Sequence, residues 1–211
     1  MTATRRPISA RNSGWARRLA SRLAASSITP NQISQASMAF ALLGFLSFWA
    51  TTHTGPLLGA LLLILAAASI QARLICNLLD GMVAVEGGKS SPTGPFWNEA
   101  PDRVADTLLL WGAGIAAGCP SLALACAAFA IATAYLRELG RAEGFPPDFS
   151  GPMAKPHRMA ALTAGSVIAA LLSFMLDPAG VLTWTLWIIL AGTAATIMRR
   201  SLRLLSALKV K

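Results

Sequence analysis

The sequence predicts an all-α polytopic membrane protein, with six transmembrane helices preceded by an amphipathic helix lying in the interface. Composition is the first reason: of 211 residues, 55% are hydrophobic and 13% charged, more apolar surface than one soluble core of this length can bury. Second, six apolar runs, at 31–52, 56–85, 95–117, 120–141, 158–176 and 179–200, are each long enough to cross about 30 Å of hydrocarbon at roughly 1.5 Å rise per residue. Third, charge sorts the connections. Segments 51–56, 118–120 and 177–180 contain no Lys or Arg. All 18 Lys and Arg residues lie in the N-terminal arm, the 86–94 loop, the 142–157 loop, the C-terminal tail or the helix ends adjoining them. The positive-inside rule then places both termini on the cytoplasmic side of the inner membrane, and an even number of spans agrees.

The net charge of +9 does not point to nucleic acid, because the basic residues flank apolar spans and no interleaved aromatic surface accompanies them. Anionic headgroups of the lipid bilayer are the expected partner. Cys76, Cys119 and Cys126 have neither CxxC nor Cys/His spacing and read as small buried residues.

The elements follow in order. Residues 1–27 form a basic cytoplasmic arm, and 28–211 form the six-helix domain. Within the arm, Trp15, Leu19, Ala20 and Leu23 share one side at helical spacing while Arg17, Arg18 and Arg22 fall elsewhere, as in a helix lying in the interface. A basic tail without structure is the alternative. A cleaved signal peptide is not expected, since arginines interrupt its apolar core. Thr29 can cap the first span, Pro30 suits its first turn, and Asn31 leaves a polar group beside free N–H groups that attract phosphate.

The second and third spans carry the unusual chemistry. Arg73, Asn77, Asp80 and Ala84 are spaced 4, 3 and 4 apart and share a helix face, as do Asn98, Asp102 and Asp106, with Glu99 beside them. Five of the nine acidic residues, Asp80, Glu86, Glu99, Asp102 and Asp106, fall between positions 80 and 106. Ionisable groups in hydrocarbon mark function by default. Carboxylates with carboxamides suit Mg²⁺ or Mn²⁺, ions that share their coordination with substrate phosphates. The competing reading is polar glue between helices, through Arg73 and Arg103. Pro101 removes the helical partner of the Trp97 carbonyl and can kink the third span. Farther along, Gly114 and Gly118 make a small-residue spacing that suits helix packing or a homodimer. Trp184 and Trp187 read as interfacial or lipid-facing aromatics, and His53 lies at the opposite end from the polar faces.

From Asn77 to Asp102 the chain resembles the signature of the CDP-alcohol phosphotransferases, Asp-x-x-Asp-Gly-x-x-Ala-Arg followed, after a spacer, by Gly-x-x-x-Asp-x-x-x-Asp. Asp80, Gly81, Ala84, Gly94 and Asp102 stand in register with it, and Thr29-Pro30-Asn31 resembles the family's entry to its first span. Asn77, Val85 and Asn98 depart from it. The resemblance implies a membrane enzyme of phospholipid biosynthesis. It would move a substituted phosphate from a CDP-linked lipid, with CDP-diacylglycerol the expected donor, to an alcohol acceptor, releasing CMP. Asp80 and Asp102 would be metal ligands, with Asp102 also the general base. Asn77 and Asn98 would be neutral ligands, and Glu86 and Glu99 would restore the missing charge. Thr29, Asn31, Gly81, Ala84 and Gly94 would face the CDP moiety. Arg137, Arg141, Lys155 and Arg158, with His157 beside them, would meet acceptor or lipid phosphates, or serve as ordinary positive-inside anchors. The two asparagines fit either a repurposed site or a metal-poor relic. A silent relative that binds CDP-lipid or a partner enzyme is the alternative function. A small transporter is weaker, because polar residues do not continue through the membrane.

Overall fold

The computed structural model describes residues 13–89 and 91–210, without the side chains of Glu86 and Asn98. The expectations placed on residues 1–12 and on those two side chains therefore lie outside the described residues. Among the described residues seven helices follow one another: α1 (Gly14–Ala25), α2 (Pro30–Thr51), α3 (Pro56–Glu86), α4 (Gly94–Ala116), α5 (Pro120–Ala142), α6 (Lys155–Leu172) and α7 (Pro178–Leu208). Each of α2 to α7 has a proline in its first turn, where the missing N–H costs nothing and the fixed φ is already helical. Thr29 and Gln32 close a reciprocal capping box on α2, and Asp177 accepts from the Ala179 N–H at 3.0 Å to cap α7.

Spatial order differs from chain order. The contacts run α2 to α3, α3 to α6, α6 to α7, α7 to α5, α5 to α4 and α4 back to α2, closing a ring of six helices. Its interior is made of Ala41, Ile70, Leu109, Leu110, Met159, Leu162, Leu186 and Ile189, all fully buried. Small residues allow the close contacts: a Cβ on Gly165 would sit 2.3 Å from Thr185 Oγ1 of α7, and one on Gly114 would sit 2.2 Å from the Ala123 Cβ of α5. Gly114 thus serves packing within the chain. The outer surface exposes Leu42, Leu46, Leu57, Leu61, Trp184, Trp187 and Ile188, an apolar belt that a soluble protein would hide.

Among the described residues four helices, Pro30–Thr51, Pro56–Val85, Pro120–Ala142 and Pro178–Leu208, are long and apolar enough to cross a membrane, as in a multi-pass membrane protein. The other two ring members are at the expected positions but carry the polar load: Glu99, Asp102, Arg103 and Asp106 on the first half of α4, and Lys155, His157 and Arg158 at the start of α6. The arm helix α1 lies on α3, burying Ala16 and Ala20 among Leu79, Met82 and Val83 while Trp15 is half exposed.

Candidate active site

The N-terminal ends of α2 and α4 and the C-terminal ends of α3 and α5 surround a cleft of about 470 Å³. Asn31 and Ser34 line it from α2, Asp80, Gly81 and Ala84 from α3, and Gly94, Trp97 and Glu99 from α4. Arg137, Glu138 and Arg141 complete the α5 wall, with Lys89 and Ser91 from the α3–α4 loop and Pro147 and Phe149 from the α5–α6 loop. Helical spacing places the α3 triplet there, since steps of one and three positions stay on neighbouring faces.

Each charged group on the wall is held in place. The Ser34 hydroxyl donates to Asp80 Oδ2 at 2.8 Å, keeping a buried carboxylate aimed between α2 and α3. Arg137 donates to Glu99 Oε2 at 2.5 Å and to Glu138 Oε1 at 2.8 Å, and its guanidinium lies 5.6 Å from the centre of the Phe149 ring. Arg141 donates to the other Glu138 oxygen at 2.9 Å. Lys89 reaches the Ser26 carbonyl at 2.5 Å and that of Ile28 at 3.2 Å, tying the cleft to the link between α1 and α2. The α5–α6 loop is fastened by Arg200, which donates to the Ser150 and Thr133 carbonyls at 2.9 and 2.6 Å. In that loop, burial pushes Asp148 up, but hydrogen bonds from Ser150 and the charges of Arg200 and Arg203 outweigh it and hold the carboxyl below its ordinary range.

A second polar group lies where α3, α4 and α6 meet. Asp102 Oδ1 accepts from Arg73 Nη2 at 3.1 Å and from Asn77 Nδ2 at 2.6 Å. Asp102 Oδ2 pairs with the Lys155 ammonium and stands 3.6 Å from Arg103 Nη2. Asp106 lies 2.6 Å from Arg73 Nη2, an ion pair whose angle makes no hydrogen bond, and accepts from Arg158 Nη2 at 3.3 Å. Arg158 also donates to the Met153 carbonyl at 3.0 Å, which locks the start of α6. Arg73 has no exposed surface. Its Nε and Nη1 find no hydrogen-bond partner among the described residues.

Of the residues singled out in the sequence, Asn31, Asp80, Gly81, Ala84, Gly94, Glu99, Arg137 and Arg141 thus come together on one cleft. Thr29 is drawn into capping α2. Asn77, Asp102, Lys155 and Arg158 belong to the neighbouring network. Ser34, Lys89, Glu138 and Phe149 were not singled out, and Trp97 was named only for its carbonyl. Of these only Ser34 had a usable signal, one turn beyond Asn31 on the same helix.

Hard divalent ions require oxygen donors with unshared charge. The Asp80 end of the cleft fits one, with its carboxylate, the Ser34 hydroxyl and the Asn31 carboxamide on one wall. The surroundings of Asp102 do not, because both of its oxygens already face cations. Among the described residues, no three His, Cys, Asp or Glu side chains gather to hold a metal.

No protein-family model matches the sequence, and no curated protein does. The fold has solved counterparts. The crystal structure of Mycobacterium tuberculosis phosphatidylinositol phosphate synthase with CDP-DAG bound aligns with a TM-score of 0.74 at 18% identity, covering 91% of this chain and 94% of that one. The same enzyme in complex with manganese and citrate aligns at 0.71 and 19% identity, covering 90% and 88%. Its apo form aligns at 0.67 and 19% identity, covering 87% and 92%. At this identity the likeness is one of fold.

Proposed function

We propose that this protein is a membrane transferase of the CDP-alcohol phosphotransferase type, which moves the phosphatidyl group of CDP-diacylglycerol to an alcohol acceptor and releases CMP. One observation carries the reading: Asp80, Gly81, Ala84 and Gly94, four of the five signature positions kept in the sequence, line a single cleft with Lys89, Arg137 and Arg141. A fold shared with an enzyme crystallised with CDP-DAG supports it.

In this reaction the acceptor hydroxyl forms a bond to the lipid-bearing phosphorus, the bond from that phosphorus to the CMP oxygen breaks, and the hydroxyl proton passes to water at the cleft mouth. Such transfers depend mainly on positioning and charge neutralisation. Lys89, Arg137 and Arg141 neutralise the phosphates, and Glu99 and Glu138 hold the two arginines in line. Gly81, Ala84 and Gly94 leave the backbone open to close approach of the nucleotide. Asp80 would hold a Mg²⁺ or Mn²⁺ ion, which supplies further neutralisation of the donor phosphates.

All six ring helices cross the inner membrane in this reading, with both termini and the cleft on the cytoplasmic face and α1 lying in its interface. Its support is that the cleft and the described Lys and Arg residues share one end of the ring. A second reading, a silent relative that binds CDP-lipid without turnover, is favoured by the pairing of both Asp102 oxygens with cations. Protein in nanodiscs, given CDP-diacylglycerol, Mg²⁺ or Mn²⁺ and a panel of alcohols, separates them. CMP release is expected. CDP binding without CMP from any acceptor selects the silent relative, and absence of both overturns the proposal.

A further inference from the structure

We propose that Lys155 stands in place of a metal ion at Asp102, so that the site holds one divalent ion, at Asp80. The inference rests on the function proposed above and concerns how its charge is arranged. Three observations lead to it.

The first is coordination. Asp102 Oδ2 is paired with the Lys155 ammonium, and Oδ1 accepts from Arg73 at 3.1 Å and Asn77 at 2.6 Å. A divalent ion at either oxygen would have to share it with these donors and stand against the charge of Lys155 or Arg73.

The second is charge. Arg73, Arg103, Lys155 and Arg158 face Asp102 and Asp106, and the one further carboxylate paired with them among the described residues, Glu99 at 3.8 Å from Arg103 Nη2, is shared with Arg137. The neighbourhood is already positive, and a divalent ion would be added against that field.

The third is Asn77. At 2.6 Å from Asp102 Oδ1 its side chain donates, because the opposite orientation would set two oxygens against each other. A carboxylate at 77 could not donate. It would place two anions side by side, an arrangement that calls for a metal between them. Asparagine at 77 and lysine at 155 therefore answer each other, one removing an anion and the other supplying a cation. Lys155 is also positioned by the fold. It is the first residue of α6, whose start is fixed by Arg158 on the Met153 carbonyl and by the Met153 N–H on Thr196 Oγ1 at 2.9 Å.

The test is a count of bound ions in the intact protein. Mn²⁺ binding in nanodiscs, followed by electron paramagnetic resonance with CDP present, should give one ion per chain. Asp80→Asn should abolish binding, and Asp102→Asn should change the affinity less than threefold. The double variant Asn77→Asp with Lys155→Met should raise the count to two. A wild-type count of two or of none overturns the inference, as does a tenfold or greater loss with Asp102→Asn. The wild-type count needs no variant to fold. CDP binding in the same samples separates the failures: its absence sinks the proposed function, whereas CDP bound with two ions overturns only the role of Lys155.

Discussion

Replacing Asn77 by Asp changes one atom's chemistry at the most crowded point of the polar network. The amide nitrogen stands 2.6 Å from Asp102 Oδ1. Asn77→Ala measures the loss of that bond to a charged acceptor, about 1.5–3 kcal/mol. Asn77→Asp loses the same bond and adds a like charge. Two unit charges about 4 Å apart repel by roughly 4 kcal/mol at an effective dielectric of about 20. Arg73 and Lys155 offset part of this, so the net cost of Asp over Ala is expected at about 1–3 kcal/mol. For a chain of this length, 1 kcal/mol corresponds to roughly 2–4 °C in Tm. Thermal unfolding in detergent should therefore rank wild type above Asn77→Ala and Asn77→Asp lowest in the absence of metal. Mn²⁺ should recover part of the loss in Asn77→Asp alone. If Asn77→Asp were as stable as wild type without metal, the amide would not be donating to Asp102 and the reasoning would fall.

Asp80→Asn keeps the acceptor for Ser34 while removing the charge, so CMP release should drop at least about a hundredfold with Tm nearly unchanged; full activity would move the site elsewhere. Gly165→Ala sets a Cβ 2.3 Å from Thr185 Oγ1 and should lower stability by about 1–3 kcal/mol, whereas Gly180→Ala, with nothing within 4 Å, should leave Tm close to wild type. Arg200→Met removes the bonds to the Ser150 and Thr133 carbonyls, and hydrogen exchange across 143–154 should accelerate relative to α5. Asp148 has a lowered folded-state pKa, so its contribution to loop attachment is fully present above the ordinary value of 3.8 and fades as pH falls below it; the loop's protection against exchange, taken relative to the intrinsic rate at each pH, should fall in that acid range and stay flat above it.

The helices were legible because apolar length and proline punctuation are local properties, and the runs at 56–85 and 120–141 match α3 and α5 within one residue. Asp80 and Ala84 were legible as one face because helical periodicity fixes neighbours on a single helix, while Gly81 was placed beside them by the resemblance. The partners of Asp102 were only half legible. Arg73 and Asn77 stood in the right rows on the second span, but Lys155 lies 53 positions from Asp102, and no periodicity links residues brought together by packing of α6 on α3. Thr29 was legible as a cap, which is the role it fills, while its expected place beside the nucleotide did not follow from chain position alone. The α5–α6 loop offered no pattern at all, since Phe149 reaches the cleft through bonds that α7, far along the chain, makes to its backbone.

The ring has a consequence for biogenesis. Helices enter the bilayer in chain order, yet α6 docks beside α3 and α7 closes the gap between α5 and α6. While α2 to α5 are already synthesised, Asp102 and Asp106 are balanced by Arg73 and Arg103, but the Oδ2 atoms of both still lack their α6 partners. The arrival of α6 sets Lys155 and Arg158 on those oxygens, and α7 then fastens the ring. The last third of the chain is thus an electrostatic latch that matures a nascent bundle into a finished one.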